Sequence, residues 1–394
     1  MRASYDVVIA GGGVMGASLA FWLTRGGPPG LRVLVVERDA SYARSATALS
    51  VASIRQQFSN PVNVRISRFG IDFIRNIGDW LGQAGGVADL GLHENGYLFL
   101  AGTEAQAETM RAVAEVQRAE GAGTLLLGPD VLAARFPWLD LSGVALGSFG
   151  PRDEGWFDNM GLLGGFRRAA RARGVEFVED TALALERRGA RIEGVRLASG
   201  RSVAAGATVN ACGTAATVLL RSAGEEMPVE ARKRTVFVID APNVVAPKAP
   251  LLVDHTGFYL RPEGRSWIAA TVPEADGPAD PADFEPDHAQ FEDQVWPRLY
   301  ARAPGFGAVK VLRAWVGHYD FNTLDQNAIL GRWPGLENLY VMNGFSGHGL
   351  QQAPAVGRGI AELILEGRYV TLDLSDLGAE RILARQPFRE LAVV

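Results

Sequence analysis

Val7-Val8-Ile9-Ala10 runs directly into Gly11-Gly12-Gly13-Val14-Met15-Gly16, and a second apolar run, Leu31 to Val36, ends on Glu37; this stretch decides the fold. An apolar strand, a glycine-rich turn, a helix and a second strand ending in an acid form a dinucleotide-binding unit. Gly11 permits the tight strand-to-helix turn. Gly13 lets the backbone approach a pyrophosphate, and Gly16 lets the helix sit close on the strand. The helix N-terminus favours phosphate because its N–H groups and dipole are unopposed there. Ala17, Ala20, Phe21 and Leu23 supply an apolar helical face. Glu37 follows Gly16 by 21 residues, where a carboxylate accepts hydrogen bonds from both hydroxyls of an adenosine ribose and repels a 2′-phosphate. At this point NAD and FAD remain equally open.

A chain of 394 residues is long for one core, so two intertwined domains are expected. Hydrophobic residues make up 47% and charged residues 21%, the balance of an ordinary globular protein. A net charge of −5 gives no electrostatic case for nucleic acid or an anionic membrane surface as partner. The single Cys212 excludes an internal disulfide and multi-cysteine metal sites, and the five histidines lack metal-ligand spacing, so no metal is expected. No run approaches the ~18 apolar residues of a membrane span. With the first strand starting close to Met1, no leader peptide is expected, and a cytoplasmic location is the default.

Further along, Ser41 to Asn60 reads as a ligand-facing loop and Pro61 to Gly82 as a helix. Tyr97 to Leu100 reads as a short strand and Glu104 to Gly121 as a polar helix. Asp158 is a candidate N-cap for a helix over Asn159 to Arg173. Strands are expected at Val175 to Val178, Ala182 to Glu186, Ile192 to Leu197 and Ala207 to Asn210. A β-rich stretch follows, with strands at Thr235 to Asp240, Gly257 to Arg261, Trp267 to Thr271 and Val309 to Tyr319; the turn Pro262-Glu263-Gly264-Arg265 pairs two of them as a hairpin. Leu339 to Met342 is a buried strand. After it come a glycine-rich turn and a helix over about Gln352 to Glu366, with Pro354 in its first turn. The fold class is therefore α/β: a Rossmann-type domain over residues 1–85, 150–225 and 320–394, interleaved with an α+β substrate domain on an antiparallel sheet over 86–149 and 226–319.

Asn343-Gly344-Phe345-Ser346-Gly347-His348-Gly349-Leu350 resembles the closing motif of the D-amino-acid oxidase-like superfamily of FAD oxidoreductases. Within it the chain is most similar to the sarcosine oxidase and dimethylglycine dehydrogenase branch. Gly349-Leu350-Gln351-Gln352-Ala353-Pro354 is also similar to the mitochondrial assembly factors that carry an FAD-dependent oxidoreductase domain. The resemblance spans nearly the whole chain and implies FAD lying across the large domain beneath a β-sheet roof. It implies that Gly11, Gly13, Val14, Met15 and Gly16 contact pyrophosphate, and Glu37 and Arg38 the adenosine. Ser45 and Thr47 are expected along the ribityl chain, the backbone around Leu183 at adenine, and Gly213 close to the cofactor. Gly344, Gly347, His348, Gly349, Leu350 and Gln351 are expected at the pyrimidine end of the flavin, where a helix N-terminus offers positive potential to the charge that reduction brings.

The same resemblance implies oxidation of the C–N bond of a small secondary or tertiary amine or amino acid, by hydride transfer to flavin N5. Arg55, Tyr259, His318, Tyr319 and Gln351 are the candidate catalytic or substrate-contacting residues. Of Tyr259 and Arg261, only one is expected in the pocket, namely Tyr259. Several features depart from the family pattern. Tyr319 stands where relatives carry a carboxylate-binding arginine, Gln351 replaces a lysine, and Ser266 to Val272 holds no lysine to activate oxygen, so the electron acceptor need not be dioxygen. Cys212 lies on the wrong strand for a covalent flavin link and His318 near one branch's attachment position; non-covalent FAD is expected. Oxidation of a hydroxy acid and a flavin-stabilised assembly or scaffold role are the alternatives. A nicotinamide dehydrogenase is the remaining reading, and the Gly344 to Gly349 turn counts against it.

Overall fold

Apolar runs of five to seven residues between glycine-containing turns give the strands at the start of the chain, and the computed structural model describes residues 1–244 and 246–391. The first portion holds β1 (Ser4–Ala10), α1 (Val14–Gly26), β2 (Val33–Glu37), β3 (Ser53–Ile54), α2 (Pro61–Arg75) and α3 (Ile77–Leu81). Next come β4 (Tyr97–Ala101), α4 (Glu104–Ala119), β5 (Leu125–Leu127), α5 (Pro129–Arg135), β6 (Leu146–Gly150), β7 (Gly155–Trp156) and α6 (Asn159–Ala172). Then β8 (Glu176–Glu179), β9 (Ala182–Arg188), β10 (Arg191–Leu197), β11 (Ser202–Asn210) and α7 (Ala216–Arg221) precede β12 (Val229–Asp240), β13 (Leu251–Val253), β14 (Phe258–Glu263) and β15 (Ser266–Thr271). The last portion is α8 (Trp296–Arg302), β16 (Lys310–Asn322), β17 (Ile329–Arg332), β18 (Leu339–Asn343), α9 (Gly349–Glu366) and α10 (Glu380–Leu383).

Two eight-stranded sheets organise these elements. In the first, β18, β11, β1, β2 and β8 are parallel neighbours, with β17 antiparallel at one edge and the β9–β10 pair joined through β11. Parallel strands must be covered on both faces. Val7, Ile9, Val33 and Val35 pack under α1, α2, α6 and α9, while Val8, Ala10, Leu34 and Val36 face the other side with Leu185, Val195 and Trp333. β1 lies between β2 and β11, so their carboxyl ends open a crevice at the switch in strand order.

The second sheet runs β16-β12-β15-β14-β13-β4-β6-β5. Its alternation is strict. Phe237, Ile239, Leu252, Leu260 and Trp267 pack beneath Phe291, Val295 and Leu299, whereas Val236, Val238, Val253, Tyr259 and Ile268 form a second cluster on the opposite face with Tyr97 and Trp156. That opposite face roofs the crevice.

Two expectations need correction, and four strands were not expected. The helix from Pro61 breaks at Asn76, whose side-chain amide donates to the Asp72 carbonyl (3.0 Å), giving α2 and α3. α9 begins at Gly349, so Pro354 lies inside the helix rather than in its first turn. β5, β6, β13 and β17 had no legible signal, because three to five residues, one of them reading Leu-Gly-Ser-Phe-Gly, are too few for a period to emerge. Asp158 does cap α6, its Oδ1 accepting from the Gly161 N–H at 2.8 Å. The β14–β15 hairpin turns through Gly264-Arg265, with φ +61° at Gly264.

Candidate active site

One elongated cavity, with about 2190 Å3 of atom-free space including its mouth, runs between the two sheets. Its floor is built from backbone. A Cβ on Gly16 would lie 1.9 Å from the Gly11 carbonyl oxygen, so α1 can seat on β1 only with glycine there. Gly11, at φ +99°, lies under Ala211 with the same lack of room. Gly13, Val14 and Met15 line the cavity at the start of α1, where Gly13 provides no side-chain cap and the Thr47 hydroxyl accepts from the Val14 N–H at 3.1 Å. Glu37 closes β2 at the same cavity, its carboxylate accepting from the Gly12 N–H (2.8 Å) and the Asp39 N–H (3.1 Å).

Arg38 lies at the exposed mouth. Ser45 lines the wall while its hydroxyl donates to the Tyr42 carbonyl. Gly213 lines the cavity, at φ +53°. Gly16 is under the floor, shielded from the cavity by the Gly11 backbone. Leu183 is 52% exposed and turned to solvent; its neighbours Asp180, Thr181 and Ala182 line the cavity instead. Alternation on β9 sends successive side chains to opposite faces, which is why Leu183 leaves the wall.

A second helix N-terminus meets the other end of the cavity. Gly347, His348, Gly349, Leu350 and Gln351 line it around the start of α9, where His348 supplies no side-chain cap to the helix. Gly344 lies outside this wall, and its N–H donates to the Asp320 carboxylate at 2.8 Å. Desolvation within the cavity wall pushes Asp320 up to about 6.

The roof brings distant side chains together. Arg55 is buried, its guanidinium over Phe58, Tyr97 and Phe99, and its Nη2 donates to Nε2 of His348 at 3.0 Å. An arginine can only donate, so His348 Nε2 is the acceptor of this bond. Gln351 is spoken for by structure: its Oε1 accepts from the Arg55 N–H (2.9 Å) and the Ser67 hydroxyl (3.0 Å), fixing the Arg55 loop onto α2 and α9. Tyr259 is buried in the cavity wall, and burial raises its phenol well above the ordinary range; desolvation also raises Tyr319. Arg261 does not point away from Tyr259. Residues two apart on a strand share a face, yet of the two it is Tyr259 that lines the cavity, while Arg261 lies over the Trp156 ring (5.0 Å) and donates to the Val51 carbonyl (3.0 Å).

His318 and Tyr319 both line the cavity but leave β16 on opposite sides. Tyr319 lies against Gly347 and under the Arg234 guanidinium, 5.1 Å from its ring. His318 packs edge-on against Phe284 at 4.9 Å, its ring nitrogens make no hydrogen bond of normal geometry, and burial holds it below the ordinary histidine range.

Sequence reading missed Arg234, Asp320 and Glu154. Arg234 opens an alternation with Val236 and Val238 that marks one face of β12, so a signal existed. Glu154 lies in the charged run Arg152-Asp153-Glu154 and reads as a solvated turn. In the fold it is buried, accepts from the Gln56 N–H and the Gln57 side-chain amide (both 2.8 Å), and is pushed up to about 7 by burial.

Two helix N-termini facing one long crevice, with an acid at the end of β2 and glycines where side chains cannot fit, match an extended dinucleotide. A profile of the DAO family, described as FAD dependent oxidoreductase, matches residues 6–363. FAD-dependent oxidoreductase domain-containing protein 1 from Bos taurus is 42% identical over 94% of this chain and 83% of its own length. The 4-methylaminobutanoate oxidase (formaldehyde-forming) of Paenarthrobacter nicotinovorans is 25% identical over 91% of this chain and 43% of its own. Among solved structures, L-proline dehydrogenase from P. horikoshii superposes with a TM-score of 0.85 at 26% identity, covering 99% of this chain and 100% of that one.

Proposed function

The chain belongs to the FAD dependent oxidoreductase family, and from that premise we propose that it oxidises the C–N bond of a small secondary or tertiary amine or amino acid to an imine. The observation that carries this reading is the chemistry of the roof. Tyr97, Tyr259 and Tyr319, with Val236, Leu251 and Val253, wall the substrate end of the cavity. A carbon next to nitrogen gives up hydride only when the nitrogen lone pair is free to form the imine. A wall of apolar side chains that also carries the Arg55 and Arg234 guanidiniums disfavours a further cation and so keeps the amine in that state. FAD, when bound, accepts the hydride. The chain's own residues position the amine, exclude water from it and hold Arg55 against His348.

Held without a covalent bond, the cofactor would depend on the backbone floor. His318 is packed against Phe284, and the Cys212 thiol, pushed up to about 12 by burial, donates to the Ala10 carbonyl. The lysines Lys233, Lys248 and Lys310 are not among the described residues that line the cavity, which supports an electron acceptor other than dioxygen. Two proteins whose names give substrates, proline and 4-methylaminobutanoate, act on secondary amines, and this supports the choice of bond.

The test is anaerobic bleaching of the bound flavin by a panel of secondary amines, tertiary amines and amino acids, set against hydroxy acids. Bleaching by amines with release of formaldehyde, methylamine or ammonia is expected. Bleaching by hydroxy acids alone moves the reaction to a C–O bond, and a flavin that no panel member reduces favours a scaffold role. Reoxidation of the reduced protein by a quinone or dye is expected to outpace reoxidation by oxygen.

A further inference from the structure

We propose that Glu390 is a positioning residue of the active site: its buried carboxylate, carried by the segment after α10, fixes the loop over residues 55–60 and so holds Arg55 against His348 at the α9 end of the cavity. The inference rests on FAD lying in the cavity with its ring at that end, and not on which bond is oxidised.

Residues 55–60 form neither helix nor strand, yet all but Ser59 are buried. Buried backbone without a ladder must find its hydrogen-bond acceptors elsewhere. It finds them on side chains from three distant parts of the chain. The Arg55 N–H donates to Gln351 Oε1 (2.9 Å), the Gln56 N–H to Glu154 Oε1 (2.8 Å), and the Ser59 and Asn60 N–H groups to Glu390 Oε1 (2.7 Å) and Oε2 (3.3 Å). Glu390 accepts further from the Ser59 hydroxyl (2.7 Å) and from the side-chain amides of Asn60 (3.3 Å) and Asn63 (2.9 Å). These groups surround the start of α2, whose positive end favours a carboxylate there.

The carboxylate is itself held from behind. The Glu390 N–H donates to the Asp325 carbonyl (3.1 Å) and the Phe388 N–H to the Asp325 carboxylate (2.9 Å), which Arg381 Nε also meets at 2.7 Å. Glu390 is 0% exposed, so bulk water does not replace a partner that it loses.

Two routes lead from Glu390 to the cavity. Along the loop, Phe58 is fully buried next to Ser59, stands edge-on to the His348 ring at 5.1 Å and lies under the Arg55 guanidinium at 4.7 Å. Through α2, Asn63 Oδ1 accepts from Gln352 Nε2 at 3.2 Å, one residue beyond Gln351 in the first turn of α9. Arg55 and His348 therefore sit on two segments that share Glu390 as an anchor, and their 3.0 Å contact depends on it. A guanidinium kept at this end of the cavity favours the negative charge that reduction brings to a flavin.

The test is the reduction potential of the bound flavin, measured on the FAD-loaded full chain by dithionite titration against reference dyes, with no substrate present. Glu390→Gln turns an amide N–H toward other donors and is expected to lower the potential by about 30 mV or more, about tenfold in the ratio of reduced to oxidised flavin, with FAD content unchanged. In an Arg55→Gln background the same substitution is expected to change that ratio less than about threefold, because its effect runs through Arg55. Thr103→Ala breaks the cap of α4 and touches neither the loop nor the cavity; it is expected to lower the melting temperature and leave the potential alone. An unchanged potential in Glu390→Gln, an equal drop with and without Arg55, or a like drop in Thr103→Ala overturns the proposal. If Glu390→Gln does not retain FAD, Ser59→Ala removes only the hydroxyl from the carboxylate's partners; a smaller drop in the same direction is expected, and no drop overturns the proposal. Because no substrate enters the measurement, failure of amine oxidation leaves it interpretable, and an unmoved potential leaves amine oxidation standing.

Discussion

The two walls of the cavity are made of different materials. Along the floor, Gly11, Gly13, Val14 and the turn before α9 present main chain and helix ends, and the side chains there are absent or pinned, as Thr47 is on Val14. Along the roof, Arg55, Tyr97, Arg234, Tyr259 and Tyr319 come from a loop and four different strands and meet only because the second sheet curves over the first. A backbone wall suits a ligand part shared by a whole family, since substitution cannot easily alter it. A side-chain wall can be rewritten one residue at a time, which is where substrate choice belongs.

The largest effect should come from putting a side chain into the floor. Gly16→Val places carbon where the Gly11 carbonyl oxygen lies 1.9 Å away, and that neighbour is backbone, which cannot swing aside as a side chain could. We expect more than about 3 kcal/mol of destabilisation and a purified protein without yellow colour, measured by flavin content and thermal melting. A variant that keeps its flavin would mean that the floor is more plastic than its geometry implies.

The seam between the walls should give the next effect, as a pH dependence. Glu154 joins the Arg55 loop to the roof: it accepts from Gln56 and Gln57, and Gln57 also donates to the Tyr97 carbonyl and accepts from Ser148. Burial lifts its carboxyl from 4.5 to about 7. Between those values the folded protein keeps a proton that the unfolded chain has released, so this group's contribution to stability falls as pH rises from about 4.5 to 7. The total is on the order of 3 kcal/mol. Asp320, raised from 3.8 to about 6, acts with the same sign over a lower window. Subtracting the denaturation curve of Glu154→Gln from that of the native protein should isolate the slope, and parallel curves would show that Glu154 does not titrate there.

The same contrast in materials explains what the sequence made legible. Floor residues announce themselves because backbone geometry constrains residue type locally: glycine at 11, 13 and 16, an acid after the second strand, and a glycine-rich turn before the last helix. The fold class followed from these, together with the apolar runs and the hairpin turn at Pro262 to Arg265. Roof residues have no such local signature. Tyr319 was visible because it departs from a family pattern, whereas Arg234, although in step with Val236 and Val238, fell just before the strand expected from Thr235 and took its place over Tyr319 only through the register that sets it opposite Gly317. Glu154 was illegible for a further reason. Three consecutive charged residues read as solvent-facing, and only the closure of β6 and β7 over the Gln57 loop buries one of them.

The smallest effect tests whether the roof acts through single polar atoms. Tyr259 is 7% exposed and its phenol is held protonated by burial, so at working pH it can only donate or accept a hydrogen bond as a neutral group. Tyr259→Phe removes one oxygen and leaves the ring packed among Tyr97, Val236 and Ile268. Stability should change by less than about 1 kcal/mol, and flavin content should not change, because no floor contact is touched. The kcat/KM for the best amine substrate should fall about 3- to 10-fold, the worth of one modest hydrogen bond. The shape of the pH–rate profile should be retained, since a phenol raised above its ordinary value does not ionise across the working range. A displaced limb in that profile, with flavin content intact, would instead make Tyr259 a proton-transferring group and give the roof a share of the chemistry beyond positioning.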